Sequence, residues 1–154
     1  MNLKKPPRVT NSRNTRLRAA ARWLLAIFYG FAGVAHLASP APFLKIMPNW
    51  VPWPGPVVFL TGVAELLGAI ALLQPMSMRL RQMGAIGLAA YALCVWPANV
   101  NHMVMDFTRP DGAWIERSLW AYHVPRMLLQ PVLIWLALWS GGVIDWPRRQ
   151  RLSN

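Results

Sequence analysis

The sequence has few acidic residues and almost no cysteine. Five Asp and Glu stand against sixteen Lys and Arg in 154 residues. Charged residues make up 14% of the chain, whereas an average soluble domain has about a quarter. The single cysteine, Cys94, excludes a disulfide framework and a CxxC dithiol within the chain. A hydrophobic share of 55% excludes a wholly disordered protein.

The chain instead contains four long apolar runs. Each approaches the roughly 17–25 residues that an α-helix needs to cross a bilayer, and they cover residues 19–38, 56–74, 83–104 and 127–144. The nine Trp residues are also typical of membrane proteins, because Trp is enriched at the boundary between lipid and water. We therefore predict an all-α membrane protein, an antiparallel bundle of four transmembrane helices in contact with the lipid bilayer.

The positive charge is concentrated outside these runs and predicts their orientation. Twelve Lys and Arg lie in the N-terminal segment, the second connection and the C-terminus, and four lie in the other two connections. The positive-inside rule then places both termini in the cytoplasm. Residues 1–18 are predicted to be a basic, disordered cytoplasmic tail, and residues 145–154 a second basic tail. Topology explains the net charge of +11, so no nucleic-acid partner is expected.

Two connections contain interpretable patterns. Residues 39–56 are so rich in proline that no long helix is expected, and Trp50 and Trp53 would anchor this segment at the membrane surface. In the third connection, residues 105–126, Asp111 could cap a short helix. Its apolar residues would then face lipid: Trp114, Ile115, Leu119 and Trp120.

Small residues within the runs predict close helix packing. Gly62 and Ala69 share a helical face with Glu65, and four glycines of the first and third runs have the same interpretation: Gly30, Gly33, Gly84 and Gly87. Cys94 lies among apolar residues of the third run and is predicted to be a small buried group.

Glu65 is the clearest candidate for a functional residue. A charged side chain at the centre of a membrane helix costs about 2.5–3.5 kcal/mol, so its presence requires a reason. Such a carboxyl group is protonated, paired with a cation, or titrating as part of a function. A neutral Glu that only hydrogen-bonds a neighbouring helix is the structural alternative.

Further polar residues fall near the outer ends of the runs. Alternating helix directions place five of them at similar depth, with Glu65 below: His36, Asn99, His102, Arg126 and Gln130. Together they predict a polar pocket with Glu65 at its floor. Alternatively, the histidines and Arg126 contact lipid headgroups, which is the favoured interpretation for His123. His36, His102 and Glu65 have ligand chemistry for a transition metal but no compact ligand spacing, so no metal site is predicted.

Three motifs together resemble the DoxX-like family of small bacterial membrane proteins. They are Phe31-Ala32-Gly33-Val34-Ala35-His36 followed by Pro40, the stretch from Thr61 to Ala69 with Pro75, and Trp96-Pro97-Ala98-Asn99. The resemblance covers about residues 20–140 and implies a multi-pass protein of the bacterial inner membrane. It also implies a role beside redox or oxidative-stress proteins, with His36, Glu65 and Asn99 as the matching polar residues. Thiol transfer is disfavoured because the chain lacks a cysteine pair.

Three functions remain open on the sequence. The first is a redox-associated subunit whose pocket binds a quinone-like ligand and which needs a membrane or periplasmic protein partner, because no flavin, haem or iron–sulfur signature is present. The second is a non-catalytic scaffold that recruits another protein. The third is a small proton-coupled transporter, which with four spans would have to form a homo-oligomer. An accessory subunit is favoured over a self-sufficient enzyme.

Overall fold

The computed structural model describes residues 12–108 and 116–145, and all regular elements in these ranges are helices. Four are long: α1 (Ser12–Ala38), α3 (Pro54–Leu73), α4 (Met78–Phe107) and α5 (Glu116–Gly141). The short helix α2 (Ala41–Lys45) follows α1. The all-α prediction is thus confirmed for this part of the chain.

Three of the long helices could cross a membrane by their length and composition. They are α1 from Arg13 onward, α3 and α4. Large apolar side chains are exposed on their outer faces, such as Phe31 (76%), Ile70 (64%) and Met83 (68%), which suits contact with a lipid bilayer. Helix α5 has a comparable length, but Arg126 and two prolines lower its hydropathy. The fourth span therefore stays a prediction.

The proline-rich connection has the predicted form. Between α1 and α3 only the five residues of α2 are helical, and the last three residues of the predicted connection already belong to α3. Trp53 adopts a left-handed backbone conformation (φ 48°) directly before Pro54, the first residue of α3. Proline suits this position because its fixed φ matches a helix and no amide hydrogen is lost. Trp50 and Trp53 are 73% and 79% exposed, as expected of residues at a membrane surface.

The four long helices pack around one core. Helix α1 contacts α3 and α5, and α4 contacts the same two helices. The most buried core side chains come from all four helices, for example Leu25, Leu72, Leu88 and Ala137. Each helix thus buries one stripe and exposes the rest.

Two of the four predicted packing glycines lie at helix contacts. Gly33 faces α3, and Gly84 faces Ala71 of the same helix, so closely that an added Cβ atom would overlap its neighbours. Gly30 and Gly87 have no atom near the position of a Cβ, so the packing interpretation is wrong for them. Glycine alone does not reveal which face of a helix meets a neighbour.

Basic side chains bind the C-terminal carbonyls of neighbouring helices. Arg22 donates from Nη1 to the Ser140 carbonyl oxygen at the end of α5 (3.1 Å), and Arg81 donates from Nη2 to the Gln74 carbonyl oxygen after α3 (3.1 Å). These carbonyls have no partner within their own helix, and cations are favourable at a helix C-terminus. The N-terminal parts of α1 and α4 therefore lie beside the C-terminal ends of α5 and α3.

Several predicted boundaries and one burial prediction are wrong. Helix α1 begins at Ser12, so residues 12–18 of the predicted disordered tail are helical. Helix α4 continues to Phe107 and α5 begins at Glu116, so both ends of the predicted connection 105–126 are helical. Cys94 is exposed: it lies outside the buried core cluster and borders the cavity between the helices.

The predicted short helix of the third connection is tested only in part. Asp111, Trp114 and Ile115 lie outside the described residues. Trp120 belongs to α5 and is 52% exposed, which agrees with the predicted lipid-facing position.

Candidate functional site

A cavity of about 570 Å³ lies between the four long helices. Its walls are mostly apolar, and side chains from the segment between α1 and α3 also line it, among them Phe43, Met47 and Trp50. Asn101 of α4 holds this segment by donating from Nδ2 to the Ile46 carbonyl oxygen (3.0 Å). Small-molecule sites in proteins have a similar size, about 300–1,000 Å³, and a similar mixture of apolar walls and a few polar groups.

Five of the six predicted site residues line this cavity: His36, Glu65, Asn99, Arg126 and Gln130. The sixth, His102, is not part of the lining but contacts Arg126. The structure thus brings the predicted residues together. It also shows the side chains of His36 and Glu65 in contact. Gly62 is the α3 residue opposite His36, and Glu65 follows it by three residues, so Glu65 lies below His36 as predicted.

The contact between α1 and α3 explains how His36 meets Glu65. A Cβ atom on Gly33 would lie 2.8 Å from the Gly62 carbonyl oxygen, and one on Gly62 would lie 2.9 Å from the His36 Cβ atom. The absence of side chains at both positions allows the two backbones to approach closely. His36 lies opposite Gly62, and Glu65 follows Gly62 by three residues on the same face of α3. The longer side chain of Glu65 therefore reaches the His36 ring across this close contact.

The His36 ring is held on several sides. Its Nδ1 atom lies 2.9 Å from the Ala32 carbonyl oxygen and 2.9 Å from Glu65 Oε2. The Ala32 carbonyl oxygen can only accept, so Nδ1 carries the ring hydrogen and donates it to this oxygen. The ring stacks on Phe43, with centroids 3.7 Å apart and planes inclined by 22°.

Two tyrosines complete the floor of the cavity around Glu65, whose side chain is 2% exposed. The hydroxyl group of Tyr91 lies beside the Glu65 carboxyl group. Tyr29 packs edge-on against Tyr91, with ring centroids 6.0 Å apart. The Tyr29 residue is 1% exposed, and its hydroxyl oxygen has no hydrogen-bond partner among the described residues. A buried hydroxyl without a partner is costly, so this group is available to a ligand.

Another part of the cavity lining, contributed by α4 and α5, contains a guanidinium group held by two neighbours. Arg126 of α5 donates from Nη2 to Asn99 Oδ1 (2.6 Å) and from Nη1 to His102 Nδ1 (2.8 Å). Its guanidinium carbon lies 4.9 Å from the ring centroid of Tyr122. Among the described residues, no carboxylate lies within ion-pair distance of Arg126. The wall thus presents a positive charge to an apolar cavity.

A second polar cluster lies directly behind Arg126. Asp106 Oδ2 is 3.1 Å from His102 Nε2 and 3.1 Å from His123 Nε2. His123 is fully buried, so the predicted headgroup contact is wrong for this residue. The headgroup prediction fails because both ends of residues 105–126 are helical: α4 continues past Asp106 and α5 begins before His123, which turns both side chains inward.

Sequence reasoning missed three residues of these clusters as candidates: Tyr29, Tyr91 and Asp106. A signal existed for Asp106, which follows His102 by four residues and hence shares its helix face. Tyr29 precedes His36 by seven residues, about two helical turns, and hence shares its helix face. For Tyr91 the sequence offers no signal, because it depends on the rotation of α4 toward α3.

The three side chains considered as metal ligands lie in two different clusters. His36 contacts Glu65, whereas His102 lies with Arg126 and Asp106. No group of three His, Cys, Asp or Glu side chains within residues 12–108 and 116–145 is arranged to hold a metal ion. Arg126 also donates to His102 Nδ1, and this contact places the ring hydrogen on Nε2, the atom that faces Asp106.

These features define the class of the protein. It is helical, three of its helices are long and apolar enough to span a membrane, and it encloses a mostly apolar cavity with polar groups around Glu65 and Arg126. Residues 25–141 match the family described as Domain of unknown function (DUF8561), and the chain belongs to that family. The match includes the cavity residues from α1 to α5 and both polar clusters. The comparison with curated proteins and that with solved structures gave no match.

Proposed function

We propose that this protein is a redox-associated membrane subunit whose cavity binds a lipid-soluble, quinone-like ligand. The observation that carries the proposal is the cavity of about 570 Å³. Its walls are mostly apolar, and its polar groups lie around Glu65 and around Arg126. The size suits the head group and first isoprenoid units of such a ligand. The apolar lining suits its tail.

The two polar places match the two carbonyl groups of a quinone. Each carbonyl oxygen needs a hydrogen-bond donor, and the donors must lie on opposite sides of the ring. The Tyr29 hydroxyl group supplies a buried donor on one side. Arg126 supplies guanidinium hydrogens on the other, with Asn99 fixing their direction and Gln130 nearby in the lining.

Glu65 gives this site a group that exchanges protons. Reduction of a quinone consumes protons, so a bound head group needs an acid within reach. The carboxyl group of Glu65 lies at the floor, with His36 Nδ1 2.9 Å from its Oε2 atom and the Tyr91 hydroxyl group beside it. This arrangement supports a functional role for Glu65 over the structural alternative of a neutral bridge between helices.

The proposed setting is the bacterial inner membrane, with four spans and both termini in the cytoplasm. The excess of basic residues on one side of the predicted spans supports this orientation. The resemblance to DoxX-like proteins supports a protein partner, which would supply electrons because this chain has no redox cofactor signature.

Binding of a decyl-substituted benzoquinone to the purified full chain in lipid nanodiscs tests the proposal. We expect saturable binding by the wild type and its loss in Glu65→Gln and His36→Ala. Tyr29→Phe removes one donor and should weaken binding by about 0.5–1.5 kcal/mol, or roughly 2- to 10-fold. Tyr122→Phe is the matched control, because it keeps the ring that contacts Arg126 and removes only the hydroxyl group of a residue that does not line the cavity.

Mass spectrometry of the protein isolated gently from its native membrane complements this assay. A retained quinone that Glu65→Gln loses supports the proposal. Unchanged quinone binding in both Glu65→Gln and His36→Ala contradicts it. A stoichiometric protein partner without any ligand would instead favour the scaffold function.

A further inference from the structure

The cluster behind Arg126 interlocks two helices. His102 and Asp106 are four residues apart on α4, and His123 and Arg126 are three apart on α5, so each pair lies on one helix face. The two faces meet in the chain Arg126, His102, Asp106 and His123, with contacts of 2.8, 3.1 and 3.1 Å. The quinone-like site uses only its first member directly.

The contacts select one tautomer of His102. A guanidinium group has only donors, so His102 Nδ1 must accept the hydrogen bond from Arg126 Nη1 and carries no hydrogen. The ring hydrogen then resides on Nε2, which faces the acceptor Asp106 Oδ2. A carboxylate on one ring nitrogen is a general means of fixing the tautomer at the other.

The fixed tautomer in turn determines the place of Arg126. His102 Nδ1 accepts a hydrogen bond from Arg126 Nη1, and Asn99 Oδ1 accepts one from Arg126 Nη2. Two contacts to one planar group fix its orientation as well as its position. The remaining guanidinium hydrogens are available to an oxygen atom of a ligand, because Arg126 lines the cavity.

We propose that Asp106 and His102 are positioning residues of the ligand site. The Asp106 carboxylate keeps the hydrogen of His102 on Nε2, and the unprotonated Nδ1 then holds the Arg126 guanidinium group at the cavity wall. His123 supports Asp106 by donating from its buried Nε2 atom to the same oxygen. The role in ligand binding rests on the proposed function, whereas the tautomer is a property of the protein alone.

Asp106→Asn tests this role without changing the size of the side chain. Its amide group can donate to His102 Nε2, which favours the tautomer with a hydrogen on Nδ1. That hydrogen would point at Arg126 Nη1, donor against donor, and the guanidinium group would leave its place. Asp145→Asn is the matched control, because Asp145 is an exposed residue that contacts Arg18 at the other end of the helices.

The first measurement is nitrogen-15 NMR of histidine-labelled full chain in nanodiscs, with His102 assigned from a His102→Gln variant. We expect a protonated Nε2 and an unprotonated Nδ1 in the wild type and in Asp145→Asn. In Asp106→Asn we expect hydrogen on Nδ1. A wild-type His102 protonated on Nδ1, or a tautomer that Asp106→Asn leaves unchanged, overturns the inference. The wild-type spectrum decides even where Asp106→Asn does not fold.

The second measurement is binding of the decyl-substituted benzoquinone. We expect about tenfold weaker binding by Asp106→Asn, no change in Asp145→Asn, and no further effect of Asp106→Asn in a His102→Ala background. Additive effects of the two substitutions would show that Asp106 does not act through His102. Absence of binding by the wild type would refute the quinone-like ligand, and the NMR result would still decide the tautomer.

Discussion

The close contact between α1 and α3 predicts that Gly33→Ala destabilises the protein and disturbs the site. An added Cβ atom would lie 2.8 Å from the Gly62 carbonyl oxygen and 2.9 Å from Leu66 Cγ. Ordinary carbon contacts have separations of about 3.5–4.0 Å, so the helices must move apart by roughly 0.5–1 Å. Such overpacking of a closely packed contact typically costs about 1–3 kcal/mol. The same displacement lengthens the 2.9 Å contact between His36 and Glu65.

Gly30→Ala is the matched control for this prediction. Gly30 lies on the same helix, and no atom is within 4 Å of the position that its Cβ would occupy. Alanine has the higher helix propensity, by up to about 1 kcal/mol in water, so this variant should be as stable as the wild type or slightly more stable.

Unfolding by sodium dodecyl sulfate in mixed micelles, followed by tryptophan fluorescence, measures both variants. We expect Gly33→Ala to unfold at a clearly lower detergent fraction than Gly30→Ala and to bind the benzoquinone more weakly. If the two variants unfold at the same detergent fraction, the α1 and α3 backbones are not in the close contact that the argument requires.

Three further predictions concern contacts outside the floor of the site. Arg22→Gln removes the donor to the Ser140 carbonyl oxygen (3.1 Å) and should lower the free energy of unfolding by about 1–2 kcal/mol in the same titration; an unchanged midpoint would show that the contact adds nothing. Asn101→Ala removes the hydrogen bond to the Ile46 carbonyl oxygen (3.0 Å), which holds the segment between α1 and α3 over the cavity, and should therefore speed quinone dissociation in stopped-flow experiments. An unchanged dissociation rate would argue that this segment does not cover the cavity. Cys94 is exposed, so a lipid-soluble maleimide should label the folded protein, whereas labelling only after unfolding would place this residue in the core.

Much of the candidate site could be predicted from the sequence because polar side chains are conspicuous in apolar runs. His36, Glu65, Asn99, Arg126 and Gln130 were selected by their cost in a bilayer and by their depth along antiparallel helices, and the structure places all five at one cavity. Depth follows from counting residues along a helix, which needs no knowledge of the neighbouring helices.

The errors have a common physical origin in helix rotation and helix ends. Cys94 was assigned to the core because its neighbours in sequence are apolar, but in a membrane helix apolar residues surround the whole circumference. His123 was assigned to the surface because it precedes the fourth apolar run. Helix α5 in fact begins at Glu116, and its packing on α4 buries this histidine against Asp106.

The sequence by itself determined that the chain is helical, where most helices lie, that the segment after α1 is not a long helix, and which side chains need a polar partner. These properties depend on local composition, on proline and on distance along one helix. The tertiary structure alone decided which partner each side chain meets. His36 reaches Glu65 because two glycines let α1 and α3 approach, and Arg126 reaches His102 because α4 and α5 pack face to face. Such pairings depend on the rotation of each helix about its axis, which the packing of the whole core fixes.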